Sequence, residues 1–569
     1  MKRVLEFLFL CVAAVASSCN SDEVITLPPA PKIVLNSDGI YSVKCGYEIR
    51  IAPEYRDADD ATYSWVIEGE TVCTERAYVH YGAEVGSVYV TLTVANDNGS
   101  DSCELRIDVV QREIPTIAIF GASSRCMVVG SSELFTATVR ECSIPSTIKW
   151  QLAGEDVGEG ETYLFNAENI GTYELCAIAT NADGESSDSV VIEVVERDES
   201  FVWEFEKTEY HSVVGRKVRI APTILSDPDV AISWQVDDAL TIAGEGSTFS
   251  FVSEVTGEHR VTATAHLANG ESRVQEFSVM LYDEMAHYRS ATPTSAADCT
   301  AVLDYTPAPG QFIGDYKTAG FDGTEVTQDS ANTRAMQRLA EHKFVSLGAF
   351  GGYIVLGFDH SILNGAGYDI AIIGNSFESS CEPGVVWVMQ DENGNGKADD
   401  TWYELRGSES GLDSTIQEYA VTYYRPAGSE MPVMWEDSLG GRGEVEYLKS
   451  FHDQPSYYPT WISGESYTLR GTRLEARNYD ASGNGSMWIQ PPYDWGYADN
   501  YSSTDIISEE GDGKVNGFDI SNAMDFEGES VALNHVDFVK VQCAVQATSG
   551  WVGELSTEIL GAYDIYLAD

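Results

Sequence analysis

Between Trp387 and Trp402 the chain places oxygen side chains at alternate positions, Asp391, Asn393 and Asn395, then turns on Gly396 into Asp399 and Asp400. A hard cation such as Ca²⁺ takes six to eight oxygens at about 2.3–2.6 Å, and an alternating Asp/Asn loop can wrap one. The expected ligands are the side chains of Asp391, Asn393, Asn395 and Asp399 or Asp400, with Lys397 giving its carbonyl. Mg²⁺ suits the loop less, because it demands near-ideal octahedral geometry and keeps several waters. The flanks, 385–390 and 402–405, read as strands, so the loop is not an EF-hand, and its twelfth position is Trp402 instead of a bidentate Glu. The competing reading is a plain Asn-Gly hairpin turn.

A second stretch, Gly511 to Ser521, resembles the calcium half of a dockerin, with Glu510, Asp512, Asn516 and Asp519 in ligand register. Ser508 stands where that pattern wants an Asp, and the alternative is a surface turn feeding a strand from Phe518. Aromatic residues gather in Pro/Gly-rich loops at 423–424, 451–452, 457–461 and 493–497. Rigid amphipathic rings on loops grip a sugar ring or a corrin face at low entropic cost. Tyr424, Tyr457, Tyr458, Trp461, Trp495 and Tyr497 are therefore candidate ligand-binding residues, against the alternative that they plug the core. The chain has no Gly-x-Ser-x-Gly, His-Glu-x-x-His or phosphate-binding glycine loop. Asp359-His360 reads as structural, because adjacent strand residues face opposite sides. A carboxylate pair for glycoside hydrolysis is a three-dimensional arrangement that the sequence does not reveal. The expectation is a binding protein, not an enzyme.

These loops need strands to carry them. After residue 285 one convincing helix is expected, over 333–342, where Ala335, Met336, Leu339 and Ala340 keep helical spacing. Strands are expected over 353–358, 368–373, 385–389, 419–424, 486–489 and 536–545, which predicts a large jelly-roll-type β-sandwich over 300–569. Several segments carry a resemblance: Pro307-Ala308-Pro309-Gly310-Gln311-Phe312, Ser346-Leu347-Gly348, Gly374-Asn375-Ser376-Phe377, Glu382-Pro383-Gly384, Trp495-Gly496-Tyr497-Ala498-Asp499-Asn500 and Asp537-Phe538-Val539-Lys540. They look like the C-terminal module of uncharacterised Bacteroidota cell-surface lipoproteins. Relatives of that kind accompany outer-membrane TonB-dependent receptors, including those for cobalamin. The resemblance implies a cellular setting and transfers no functional residue.

The first half is periodic. Trp65, Trp150 and Trp234 each sit in a short strand, at intervals of 85 and 84 residues, and each is followed by a turn at Asn98-Gly99, Asp183-Gly184 or Asn269-Gly270. One buried tryptophan, short alternating strands and a turn glycine per unit predict small β-sandwiches. The run Tyr89-Val90-Thr91-Leu92-Thr93-Val94-Ala95-Asn96-Asp97-Asn98-Gly99 and its counterparts resemble the PKD type of immunoglobulin-like domain. That resemblance implies spacing and protein contact, not chemistry. The expected fold class is all-β, tandem immunoglobulin-like sandwiches followed by the larger one. The expected order is repeats over 31–112, 113–198 and 199–284, a joint over 285–299, and the last domain, which the repeats would hold away from the membrane as a spacer.

Lys2 and Arg3 precede an apolar run over 7–16 and then Ala16-Ser17-Ser18-Cys19, the pattern of a secretory signal. Small residues before a cysteine resemble a bacterial lipobox, so 1–19 reads as a lipoprotein signal with Cys19 lipidated, and 20–30 as a linker. Ser21-Asp22-Glu23 resembles the tag that sends Bacteroidota lipoproteins to the outer face of the outer membrane. The run is far too short to span a bilayer, which leaves lipid as the anchor. With 90 Asp+Glu against 34 Lys+Arg, the formal charge of −56 repels phosphates and excludes nucleic-acid binding. No cysteine pair has zinc spacing, and those beyond Cys19 read as buried thiols or disulfides within the repeats. The functional expectation is a lipid-anchored surface protein that captures a cobamide or glycan for a TonB-dependent transporter. The alternatives are an adhesion protein acting through its repeats and, third, a polysaccharide hydrolase.

Overall fold

The computed structural model describes residues 29–35, 38–140, 144–196, 201–239, 241–321, 323–510 and 513–568. Cys19, the signal and most of the following linker lie outside them, as do Cys142, Gly511 and Asp512. The chain forms two compact units that divide between Glu113 and Ile114.

The first unit is an immunoglobulin-like sandwich. Its larger sheet pairs Ile40–Lys44 in parallel with Gly99–Val110, which pairs antiparallel with Gly86–Asn96, then Thr62–Ile67 and Glu70–Cys73. Alternation explains the pattern: Val90, Leu92 and Val94 face inward and are fully buried, while their neighbours face out. Within the second unit the same five-strand order recurs twice, ending on Gly184–Val195 and on Ser272–Tyr282. Trp65, Trp150 and Trp234 are fully buried in the three cores. Each indole N–H donates to a backbone carbonyl, of Glu75, Gly160 and Gly246, at 2.8, 2.9 and 2.8 Å. The turns are closed by Asn96, Asn181 and Asn269, whose side-chain oxygens accept N–H groups two residues on at 2.8–2.9 Å.

The C-terminal sandwich is larger. A six-stranded sheet runs Ala301–Thr306, Tyr353–Leu363, His535–Cys543, Gly384–Met389, Trp402–Leu405, Ala523–Met524. A four-stranded sheet runs Ile506–Glu510, Gly513–Phe518, Ile370–Gly374, Gly561–Asp564. Tyr305, Leu356, Ile370, Ile372, Val539 and Val541 belong to the core they share. A further four-stranded sheet, built on Ile416–Tyr424 and Ser466–Arg473, has its own core around Phe350, Tyr419 and Tyr423. The helix is Gln328–Ala340 and starts earlier than its apolar spacing suggests, because Thr327 and Ser330 form a reciprocal capping box ahead of the apolar positions.

The second and third repeats are not a detached spacer. Third-repeat cations meet acids of the C-terminal sandwich: Arg219 lies 3.0 Å from Glu418, and Lys217 lies 3.4 Å from Asp525 and also pairs Glu527. From the second repeat, Phe120 packs edge-on against Tyr424 at 5.3 Å, and Arg125 lies over the same ring. In a chain with so few cations, their gathering on this face supplies complementarity that sequence spacing did not show. The described cysteines are free thiols, with no disulfide among the described residues.

Candidate functional site

The 391–400 loop brings its oxygens together, but around its own donors. The Asp391 carboxylate accepts the N–H groups of Asn395 at 3.0 Å and Gly396 at 2.9 Å. Asn393 and Asn395 accept the N–H groups of Asn395 and Lys397 at 2.9 and 2.7 Å, and Asp400 accepts that of Glu392 at 2.7 Å. The two Asn amides donate in turn to Asp399 and Asp400 at 3.1–3.3 Å. Gly394 and Gly396 take the left-handed backbone that the reversal requires. Asp537, fully buried, anchors the base: it accepts Asp391 N–H at 2.8 Å, Ser361 Oγ at 2.6 Å and Arg289 Nη2 at 2.9 Å.

This loop is also where the third repeat docks. Lys207 donates to the carbonyls of Asp399 and Asp400. Arg216, 7% exposed, bonds Gln390, lies 3.4 Å from Glu392 and pairs Glu284 at 2.6 Å. Burial pushes Glu392 well above the usual carboxylate range despite Arg216, and raises Asp400 to about 7.

The structure corrects the aromatic candidates. Tyr424, Tyr457, Tyr458, Trp461 and Tyr497 are buried, and Trp495 is half-buried. Their polar atoms serve the fold. Tyr457 and Tyr458 hydroxyls donate to the carbonyls of His452 and Gly464, both at 3.0 Å, and Tyr497 accepts Glu409 N–H at 3.0 Å. Trp461 donates to the Tyr305 carbonyl at 3.3 Å and stacks on Phe321. Pro/Gly-rich loops fold back over the sheets here, so their rings fill gaps that the strands leave.

The dockerin-like stretch is a hairpin, Ile506–Glu510 with Gly513–Phe518. Asn516 is fully buried and donates to the Asn500 carbonyl at 2.9 Å, while Asp519 caps a short 3-10 turn by accepting Ser521 N–H at 2.8 Å. Those two side chains serve the fold. His360 is fully buried between Asp359 at 2.8 Å and Asp564 at 2.9 Å, a structural clamp. The strand is irregular there, between Gly357 and Ile362, which lets Asp359 reach its neighbour despite their alternation.

The strongest site was not singled out from the sequence. A cavity of about 390 Å³ opens between the loops around 312, 451 and 551. Phe451 and Trp551 form its lip, 55% and 51% exposed, with ring centroids 5.7 Å apart. Glu382, Glu554 and Glu558 line the same cavity. One oxygen each of Glu382, Asp499 and Glu558 lies within 4.8 Å of the others. Asp499 is fully buried, and its carboxylate accepts Asn375 N–H and Glu558 N–H, each at 2.9 Å. Its backbone is left-handed, φ 53°, and Gly374 is required beside it because a Cβ there would meet Asp499 at 2.6 Å.

Glu554 accepts Gln311 N–H at 2.7 Å on one oxygen, and the other has no partner, nor has one oxygen of Glu558. Burial pushes Glu382 up to about 7 and Glu554 up to about 8. Burial first, then the neighbouring acids, lift Asp499 and Glu558 well above the usual range. Chemically, the cluster can hold protons or a cation, or accept hydrogen bonds from a ligand. The segments that meet here, around 311, 375, 382 and 499, are among those that carried the C-terminal resemblance, which was the available signal.

The protein is thus an all-β chain of tandem immunoglobulin-like sandwiches followed by a larger sandwich. A PKD-like domain family model matches residues 28–96, within the first repeat. No curated protein matches the chain. It is similar to an I-band fragment of titin, 15% identical over 44% of this chain and 99% of that one, with a TM-score of 0.22. Three N-terminal domains of the outer capsid protein Hoc of bacteriophage RB49 are 10% identical over 45% of this chain and 99% of that one, TM-score 0.22. Fibronectin(III)-like modules of CbhA from Clostridium thermocellum are 15% identical over 31% and 100%, TM-score 0.17. Scores of this size assign no fold, and the architecture above rests on the strand pairing itself.

Proposed function

We propose that this is a surface-displayed binding protein whose C-terminal sandwich captures a small polyhydroxylated ligand. The observation that carries the reading is the cavity of about 390 Å³, lined by two exposed aromatic rings and by buried carboxylates. Its volume falls in the range of about 300–1,000 Å³ usual for small-molecule sites. Rings take the apolar face of a sugar while carboxylates accept its hydroxyls. A corrin macrocycle would meet only the mouth, so glycans are the first class and cobamides the second. Titration calorimetry of the whole chain against both panels tests this. Trp551→Ala should weaken the ligand found at least tenfold, and a chain that binds no member of either panel removes the reading.

The setting belongs to the same proposal. The sequence around Cys19 and the C-terminal resemblance support a lipid anchor, an outward face on the outer membrane, and service to a TonB-dependent transporter. Cys19→Ser should release the protein from the membrane fraction. Calcium on the 391–400 loop is a further expectation. There Asp391, Asn393, Asn395, Asp399, Asp400 and the Lys397 carbonyl would trade present N–H partners for the ion. Chelation should then lower the melting temperature, and Asp391→Ala should remove the loop's share of that drop.

Two other readings have support. The PKD-like match favours adhesion through the repeats, and a specific protein partner recovered by the whole chain but not after surface changes in the first repeat would bear it out. Paired carboxylates in a cleft are also the equipment of glycoside hydrolysis. Glycan turnover abolished by Glu554→Gln would make the protein a hydrolase.

A further inference from the structure

We propose that Glu382, Asp499 and Glu558 bind one hard divalent cation, Ca²⁺ by preference, beside this cavity, which Glu382 and Glu558 line. A Ca²⁺ shell of radius about 2.4 Å measures about 4.8 Å across, so oxygens all within 4.8 Å of one another fit one ion. The donors are oxygen only, with no nitrogen or sulfur in the group, which selects Ca²⁺, Mg²⁺ or Mn²⁺ over zinc or copper.

The group is already shaped. The N–H groups of Asn375 and Glu558 hold the two oxygens of Asp499 in place. Glu382 and Glu558 face the open cavity, which gives the ion a path in. Glu554 is the independent pointer. It stands outside the three, is 4% exposed and lines the same cavity, and its second oxygen has no donor. No lysine or arginine pairs with the three among the described residues, so the buried charge is left for a proton or a cation to neutralise. The cation proposal stands whether or not the cavity also takes an organic ligand.

Equilibrium dialysis of the full chain against Ca²⁺, Mg²⁺ and Mn²⁺ separately, with the metal as the sole probe, is the test. Glu382→Gln and Glu558→Gln should each bind one ion fewer per chain than the wild type, and the same loss should appear when either is made in an Asp391→Ala background. Ca²⁺ should raise the wild-type melting temperature, with that part of the rise lost in Glu558→Gln. In EDTA the same variant should melt at or above the wild type, since the amide removes one crowded charge and keeps the shape. Should Glu558→Gln fail to fold, Glu382→Gln decides the ion count. Equal ion counts in wild type and variants overturn the site. So does a Glu558→Gln chain that outmelts the wild type in saturating Ca²⁺, because the carboxylates would then be holding protons. Either result leaves ligand capture to be judged by its own calorimetry.

Discussion

The 391–400 loop and the Glu382/Asp499/Glu558 cluster are both rich in side-chain oxygens, and both belong to the C-terminal sandwich. They differ in who satisfies those oxygens. In the loop, neighbours four and five positions on supply N–H groups to Asp391, and flanking amides cover Asp399 and Asp400. In the cavity the acids come from distant segments, and oxygens of Glu554 and Glu558 have no donor. Oxygen density along the chain therefore marks a well-made turn as readily as a binding site. One oxygen of Glu392 in the loop is buried and unmatched as well, so what singles out the cavity is that its unmatched acceptors, on Glu554 and Glu558, line a space large enough for a ligand.

The hardest blow to the loop should come from its neighbour. Arg216→Ala leaves Glu392 buried without its partner, which costs about 3–5 kcal/mol when a buried pair is broken from one side. Denaturant unfolding of the second unit measures it. A loss below 1 kcal/mol would mean that the loop does not hold the third repeat.

The cavity should show itself through pH. Glu554, raised to about 8, binds its proton more tightly folded than unfolded, as does Glu404, raised to about 7 by burial. The favourable balance is complete below the ordinary carboxylate pKa, near 4.5, and is lost as pH rises through the folded values. In chelator, stability should fall between about pH 4.5 and 8, by roughly 5 kcal/mol for Glu554, at 1.36 kcal/mol per pKa unit. Glu554→Gln should lessen the fall across that whole range and leave the part that Glu404, Glu382 and Asp400 contribute. A flat wild-type profile would contradict the cavity half of the comparison.

A smaller effect sharpens the loop half. Asp391→Ala deprives the N–H groups of Asn395 and Gly396 of their acceptor and should cost about 1–2 kcal/mol in metal-free buffer. A null result in chelator, with a large one in Ca²⁺, would show that the ion and not the turn is what Asp391 serves. Smallest of all, Phe451→Ala at the exposed lip should change stability by no more than about 0.5 kcal/mol while weakening ligand capture.

Legibility followed locality. The repeats were readable because one tryptophan, one alternating hairpin and one Asn/Asp-Gly turn recur within a short window, and each is buried or closed by near neighbours. The strand 385–389 was placed to within a residue for the same reason, since its apolar run lies within a single element. The aromatic loops misled because a Tyr or Trp beside Pro and Gly looks alike whether the loop projects or folds back. Trp461 is buried by contacts with residues as distant as Phe321 and Tyr305.

The sequence by itself determined the all-β class, the repeated sandwiches, the strong net acidity, and the geometry of the 391–400 turn. All of these follow from side-chain periodicity, total charge or bonds between residues a few positions apart. Tertiary structure decided that the second and third repeats dock on the last domain and that five of the six candidate rings are core. It also decided that Glu382, Asp499 and Glu558 share one buried site. Such pairings depend on which distant segments the sheets bring side by side, and the cost of burying an unmatched carboxylate exists only once they have met.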